Sequence, residues 1–218
     1  MKNNELIKYE GGLIKRVSNA ISVTNKLLAL SNINEAQAYY VSGINNSNSA
    51  KYSEAIEDYT KAISINPQFA NAYCNRGFAK HKLEKYTDAI EDYSKGIELN
   101  PGQYIYHFYY LRGVAKKDLE NYSDAIEDFS KAIEINPEYA NAYNDRANSY
   151  KSLDKIIEAM EDYSKAIEIN PKYYKGAAYY NRGNAKHKIG DKSACEDWHK
   201  AKDLGTTYAE EKIKKHCI

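Results

Sequence analysis

Pro67, Pro101, Pro137 and Pro171 are the only prolines in this 218-residue chain, and they stand 34, 36 and 34 residues apart. Proline interrupts helices, so prolines at so regular a spacing mark a chain assembled from one repeated element. Aligned on them, the sequence restates itself. EAIEDYTKAISINP ends at Pro67, DAIEDYSKGIELNP at Pro101 and DAIEDFSKAIEINP at Pro137, while EAMEDYSKAIEIN runs up to Pro171. A second phrase recurs as YCNRGFAKHKL, YLRGVAKKDL and YNRGNAKHKI. Such a chain is expected to fold as a stack of similar units, each stabilised by its neighbours, rather than around one central core.

Within each unit the spacing is helical. Tyr73 and Gly77 lie four apart, as do Ala89, Tyr93 and Ile97, so each unit reads as two helices. Ser53, Thr87 and Ser123 precede acids where the second helix should begin, which predicts a side-chain N-cap with an acid in the positive first turn. Asn-Pro then closes the unit, because proline disfavours helix at the residue before it.

These residues resemble the tetratricopeptide repeat, whose unit of about 34 residues sets a large ring, a small residue, Ala, a second ring, Ala and Pro at fixed offsets. Unit 70–103 fills those places with Tyr73, Gly77, Ala89, Tyr93, Gly96 and Pro101. Unit 106–139 has Tyr109, Gly113, Ala125, Phe129, Ala132 and Pro137; unit 140–173 has Tyr143, Ala147, Ala159, Tyr163, Ala166 and Pro171. Unit 36–69 matches with Tyr39, Gly43, Ala55, Tyr59, Ala62 and Pro67. A fifth, 176–205, keeps Tyr179, Gly183, Ala194, Trp198 and Ala201 but is shorter in its turn and lacks the proline. The resemblance implies an all-α fold, a right-handed α-solenoid of helix-turn-helix repeats over 36–205. Gly or Ala on the first helix should face Ala on the second, with the rings filling the space between units.

Residues 1–35 fall outside the array. After a Gly11–Gly12 break, Leu13, Ile14, Val17, Ile21, Leu27 and Leu28 form a stripe expected to be a helix capping the first unit, with dimerisation or docking as the alternative. At the other end, 206–218 is expected to form a polar C-terminal capping helix opened by a capping box from Thr207 to Glu210. The loops after Gln103 and Tyr173 are each longer by two residues and rich in tyrosine.

Composition narrows the function. Lys+Arg number 31 against 30 Asp+Glu, so the net charge of +1 excludes a uniformly basic nucleic-acid binder. No uncharged run is apolar enough to span a membrane, and no compact apolar segment follows a basic one at the N-terminus. Cys74, Cys195 and Cys217 are odd in number and widely spaced, which suggests neither a metal pair nor a disulfide framework; a cytoplasmic, reducing setting is expected. His81, His107, His187, His199 and His216 show no metal-ligand spacing, and no glycine loop suits a phosphate. No catalytic or metal site, no cofactor and no small-molecule substrate are expected, and enzyme activity is not.

Each unit also carries an Asp on its second helix: Asp58, Asp92, Asp128, Asp162 and Asp197. Four carry an Arg on the first: Arg76, Arg112, Arg146 and Arg182. Pairing each Arg with the Asp of the preceding unit uses every Arg, so an inter-repeat ladder is the expectation. Glu91–Lys95 and its counterparts are expected as i,i+4 pairs on the outer face.

The resemblance further implies that the first helices line a concave groove that receives a peptide. Its offsets give a row of Tyr40, Cys74, Tyr110, Asn144 and Tyr180, and a second of Ile44, Phe78, Val114, Asn148 and Asn184. A third holds Ser47, His81, Lys117, Lys151 and His187 beside Lys82, Asp118 and Lys188. Asn141 lies near the start of its helix on the face of Asn144 and Asn148. The amides suit a peptide backbone, since they both donate and accept, and the lysines suit an acidic segment. The carboxylate-clamp pattern of this family is only half present, because Tyr40 and Ile44 stand where Lys and Asn belong. The expected function is a scaffold for protein–protein interaction that binds an extended or helical, acidic partner segment. Self-assembly through the N-terminal helix or the array ends is the alternative, and a monomer is expected over a homodimer.

Overall fold

A computed structural model describes residues 2–99, 102, 104–172 and 176–217, with the backbone alone for 2–18 and 20. Eleven helices follow one another among the described residues: α1 Lys2–Asn48, α2 Tyr52–Ile65, α3 Ala70–Lys82, α4 Tyr86–Leu99, α5 Ile105–Asp118, α6 Tyr122–Ile135, α7 Ala140–Ser152, α8 Ile156–Ile169, α9 Ala177–Lys188, α10 Ala194–Asp203 and α11 Ala209–His216. From the C-terminal part of α1 onward they pack as successive hairpins, and each second helix also packs on the first helix of the next hairpin. The chain is an all-α solenoid.

The register is locked by one small residue and one ring per unit. A Cβ built on Gly43 would stand 2.6 Å from the Tyr59 ring, and one on Gly113 2.8 Å from Phe129. Each ring is thereby clasped by its own unit, and on its other side it meets an alanine of the next. Tyr59 packs with Ala79, Tyr93 with Ala115 and Tyr163 with Ala185, all buried. The small residue thus faces the ring more closely than it faces the expected alanine.

Each hairpin turn has the same chemistry. Ala50, Glu84, Glu120 and Asp154 take left-handed backbone, φ near 60°, where the fifth unit has Gly190 at 78°. A hydrogen bond from the following N–H back across the last helical turn, Lys85 N to Lys80 O at 3.0 Å and Asn121 N to Lys116 O at 2.9 Å, closes the helix end. The second helices end differently. Asn66, Asn136 and Asn170 each accept the backbone N–H two residues on, at 3.1–3.2 Å, so the Asn before proline makes the turn that proline permits.

Several expectations are corrected. The helices α2, α4 and α6 begin at Tyr52, Tyr86 and Tyr122, which places Ser53, Thr87 and Ser123 inside the first turn; α2 and α6 lack a side-chain cap bond, while Glu54, Asp88 and Asp124 do occupy the first turn. The capping box at Thr207 does not form either, since α11 starts at Ala209 without a side-chain cap bond. Lys95, Lys131 and Lys165 pair three residues forward with Glu98, Glu134 and Glu168, at 2.8–2.9 Å. Helix α1 runs unbroken through Gly11–Gly12, and Ile21, Leu27 and Leu28 stand exposed on it. The side chains of Leu13, Ile14 and Val17 lie outside the described residues, as do Pro101, Gln103, Tyr173 and Tyr174. Cys195 and Cys217 form a disulfide, because the α10–α11 hairpin returns the chain to its own start; Cys74 is free and buried.

The charged ladder is reversed. Arg76, Arg112, Arg146 and Arg182 each fork onto the Asp of their own unit, Asp92, Asp128, Asp162 and Asp197, at 2.7–2.9 Å. The third guanidinium nitrogen reaches back to the preceding unit, to Thr60, Ser94, Ser130 and Ser164, at 2.9–3.1 Å. One Arg therefore ties two units, by charge within and by a hydroxyl across. In the first unit Ser42 and Asn46 donate to Asp58 at 2.7 and 2.9 Å, so no Asp is orphaned.

Candidate functional site

The first helices of successive units touch directly, α1 with α3, α3 with α5 and α5 with α7. Their shared face is therefore the inner side of the curve. The groove candidates are distributed over these first helices and α9: Tyr40 and Ile44 on α1, Phe78, His81 and Lys82 on α3, Tyr110, Val114 and Lys117 on α5, Asn141, Asn144, Asn148 and Lys151 on α7, and Tyr180, Asn184, His187 and Lys188 on α9.

The row nearest the units' seams is largely consumed by the fold. Tyr40 packs tilted against Phe69 with centroids 4.6 Å apart, and its hydroxyl accepts a bond from Asn75 at 3.0 Å. Tyr110 meets Tyr139 edge-on at 5.0 Å and donates to Asp145 at 2.9 Å; Tyr180 meets Tyr208 edge-on at 4.5 Å. Cys74 is 3% exposed, and burial pushes its thiol up to about 12, which leaves it an unreactive packing residue.

The middle row stays open. Ile44 and Phe78 are half-buried and line a cavity of about 240 Å³ with Ser47, Asn75, His107 and Leu111. Leu111 entered no sequence row, although the spacing from Val114, one turn away on α5, could have found it.

The amide half is less free than its residue types suggest. Asn148 Oδ1 accepts the Tyr163 hydroxyl at 2.7 Å, and Asn184 Oδ1 accepts the Trp198 indole N–H at 3.2 Å. The second-helix rings thus orient both amides and leave N–H groups as what they can offer. Asn144 is only 7% exposed, and its Oδ1 is buried without a hydrogen-bond partner.

The basic row is mostly neutralised within the fold. His81 lies 2.8 Å from Asp118, Lys117 lies 2.9 Å from Asp145, and Lys188 pairs with Asp154. Each acid comes from a neighbouring unit. Lys82 stands over the Phe78 ring at 5.2 Å. Among the described residues no carboxylate pairs with Lys82 or Lys151, and burial lowers the Lys151 ammonium from its ordinary value. No group of three metal-ligand side chains occurs among the described residues, and no described helix is long and apolar enough to cross a membrane.

A stack of helical hairpins whose first helices touch one another, with a cleft between α1, α3 and α5, defines a helical-repeat interaction scaffold. The family is specific. The "Tetratricopeptide repeat" model matches residues 70–103, 108–139 and 140–173, and the "TPR repeat" model matches 51–84, together more than half of the sequence. The chain belongs to the tetratricopeptide repeat family. Among solved structures, MamA is similar at 26% identity and a TM-score of 0.69, covering 77% of this chain and 96% of that one. YrrB, described as a TPR protein with an unusual peptide-binding site, aligns at 21% identity and 0.67 over 81% and 90%. PilF of Pseudomonas aeruginosa aligns at 16% and 0.71 over 80% and 78%. The last two likenesses are of fold alone. No curated protein sequence matches.

Proposed function

We propose that this chain is a non-enzymatic scaffold whose inner groove binds an extended or helical segment of a partner protein. The observation that carries this reading is the cleft between the first helices of the first three units, where Ile44, Phe78 and Leu111 stand among Ser47, Asn48, Asn75 and His107. Ile44, Phe78 and Leu111 leave apolar surface open there, although the rings of the neighbouring row are consumed by packing. A partner's apolar side chains would fill that cleft. The oriented amides of Asn148 and Asn184 would donate to the carbonyls of the segment's continuation. An acidic residue would lie toward Lys82 and Lys151; Lys117 and Lys188 contribute little, being neutralised already. YrrB, similar in fold, is described as a TPR protein with an unusual peptide-binding site, which supports a peptide as the partner.

The test uses a peptide selected from a random display library against the full chain. Phe78→Asp and Ile44→Asp should each weaken it at least tenfold. Ile157→Asp, at a residue 56% exposed on α8, should leave it unchanged. Equal binding by all three would remove the groove from the account.

Self-assembly is a second reading, favoured by one observation: Ile21, Val23, Leu27, Leu28, Leu30 and Ile33 on α1 are each 55–62% exposed. Light scattering over a concentration series decides it, since an assembling chain gains mass and a scaffold that binds as a monomer does not.

A further inference from the structure

The structure points to a second site at the far end of the array. We propose that Cys195 and Cys217 form a reversible thiol–disulfide exchange site, oxidised by small-molecule disulfides, that locks α11 over the last unit.

Three observations converge. Cys195 sits in the first turn of α10 and Cys217 is the residue that follows α11. Gly205, at φ 103°, and the 2.9 Å bond from Thr206 N to Ala201 O turn the chain between the two helices. The two Cα atoms thus come to 5.7 Å although 22 residues separate them, a spacing that suits a disulfide.

Next, α11 has little else to hold it. Ala209 is its only buried residue. Beyond that, Tyr208 touches Tyr180, Glu210 faces Lys202 at 3.7 Å as an exposed pair of small value, and His216, next to Cys217, packs on His187 and Trp198 with centroids 4.3 and 5.8 Å away. An isolated helix of eight residues is marginal in water, so the covalent link decides whether α11 stays docked.

Finally, the site is open and self-contained. Both cysteines are partly exposed and line a cleft of about 670 Å³ with His187, Lys192, Trp198 and His216. The third cysteine, Cys74, is buried on α3 and cannot compete.

The step balances with one disulfide oxidant, R–S–S–R. One cysteine thiolate attacks it, forming a mixed disulfide and releasing one RS⁻. The second thiolate attacks the protein sulfur of that mixed disulfide and expels the other RS⁻. The chain loses two protons and two electrons, the oxidant becomes two RSH, and excess thiol reverses the exchange. Oxidised, α11 covers the cleft wall against Trp198. Reduced, it undocks and exposes that wall.

Trp198 is the chain's only tryptophan, so its emission reads this cleft alone. Full-length protein is equilibrated with oxidised or reduced glutathione as the probe. Denaturing alkylation of the oxidised sample should label Cys74 only, and of the reduced sample all three cysteines. Reduction should shift Trp198 emission to the red and speed trypsin cleavage at Lys212, Lys214 and Lys215 by roughly tenfold or more, from the loss of a loop constraint of this length. Cys217→Ser should match the reduced protein under both conditions, and Cys74→Ser should match wild type. Three labelled thiols in the oxidised sample would overturn the site. A disulfide that leaves Trp198 emission and the cleavage rate unchanged would overturn the lock.

Discussion

Replacing Arg146 by Met should cost more stability than replacing Arg112 by Met, although the two arginines occupy the same position in adjacent interior units. Each guanidinium forks onto a nearly buried Asp, Asp162 or Asp128, whose side chains are 9% and 4% exposed. The units differ one turn later. Lys116 gives Asp128 a second cation at 2.9 Å, whereas the corresponding residue beside Asp162 is Tyr150. Removing Arg146 therefore strands a carboxylate in the wall between two helices, and stranding a buried charge costs about 3–5 kcal/mol. Removing Arg112 leaves Asp128 paired with Lys116, so the loss is one of charge-assisted hydrogen bonds, about 1.5–3 kcal/mol. The double change Arg112→Met with Lys116→Met should approach the Arg146 cost, because it recreates the stranded acid. Urea unfolding followed by circular dichroism measures all three. Equal losses at Arg112 and Arg146, or a double variant no worse than Arg112→Met alone, would refute the reasoning.

The other predictions follow from the turns and the ring clasp. Glu84→Gly and Glu120→Gly should each stabilise the chain by about 0.5–1 kcal/mol, since both residues pay the left-handed penalty that Gly190 avoids; a loss of stability on urea unfolding would count against it. Gly113→Ala presses a methyl to 2.8 Å from the Phe129 ring, an overpacking cost of about 1–3 kcal/mol set against a helix-propensity gain of about 1 kcal/mol. Ala147 beside Tyr163 shows that a unit can accommodate the methyl, so the net loss should stay below about 2 kcal/mol; a larger drop would mean that this ring cannot shift.

The array was legible in the sequence because its determinants are local and periodic. Proline spacing, the small-residue-and-ring offsets and the acids of the first turns each report on one unit at a time. What depended on how two helices face each other was not. The Arg–Asp choice turned on the first unit, where Ser42 stands in place of Arg; that Ser42 and Asn46 together satisfy Asp58 requires the helix register, which a list of residue types does not contain. The groove candidates lie on the first helices, as the repeat offsets implied. Their free capacity was overestimated, because Asp118, Asp145 and Asp154 approach the basic row from neighbouring units. The disulfide was missed for a similar reason: a linear gap of 22 residues conceals a hairpin that closes on itself.

Amide hydrogen exchange of the full chain, with and without a saturating library-selected peptide, tests the groove most directly. The account predicts added protection on α3, α5 and α7 and at the end of α1 around Ile44, with α4, α6 and α8 unchanged. Protection confined to the second helices, or to the exposed stretch of α1 around Leu27 and Leu28, would contradict it.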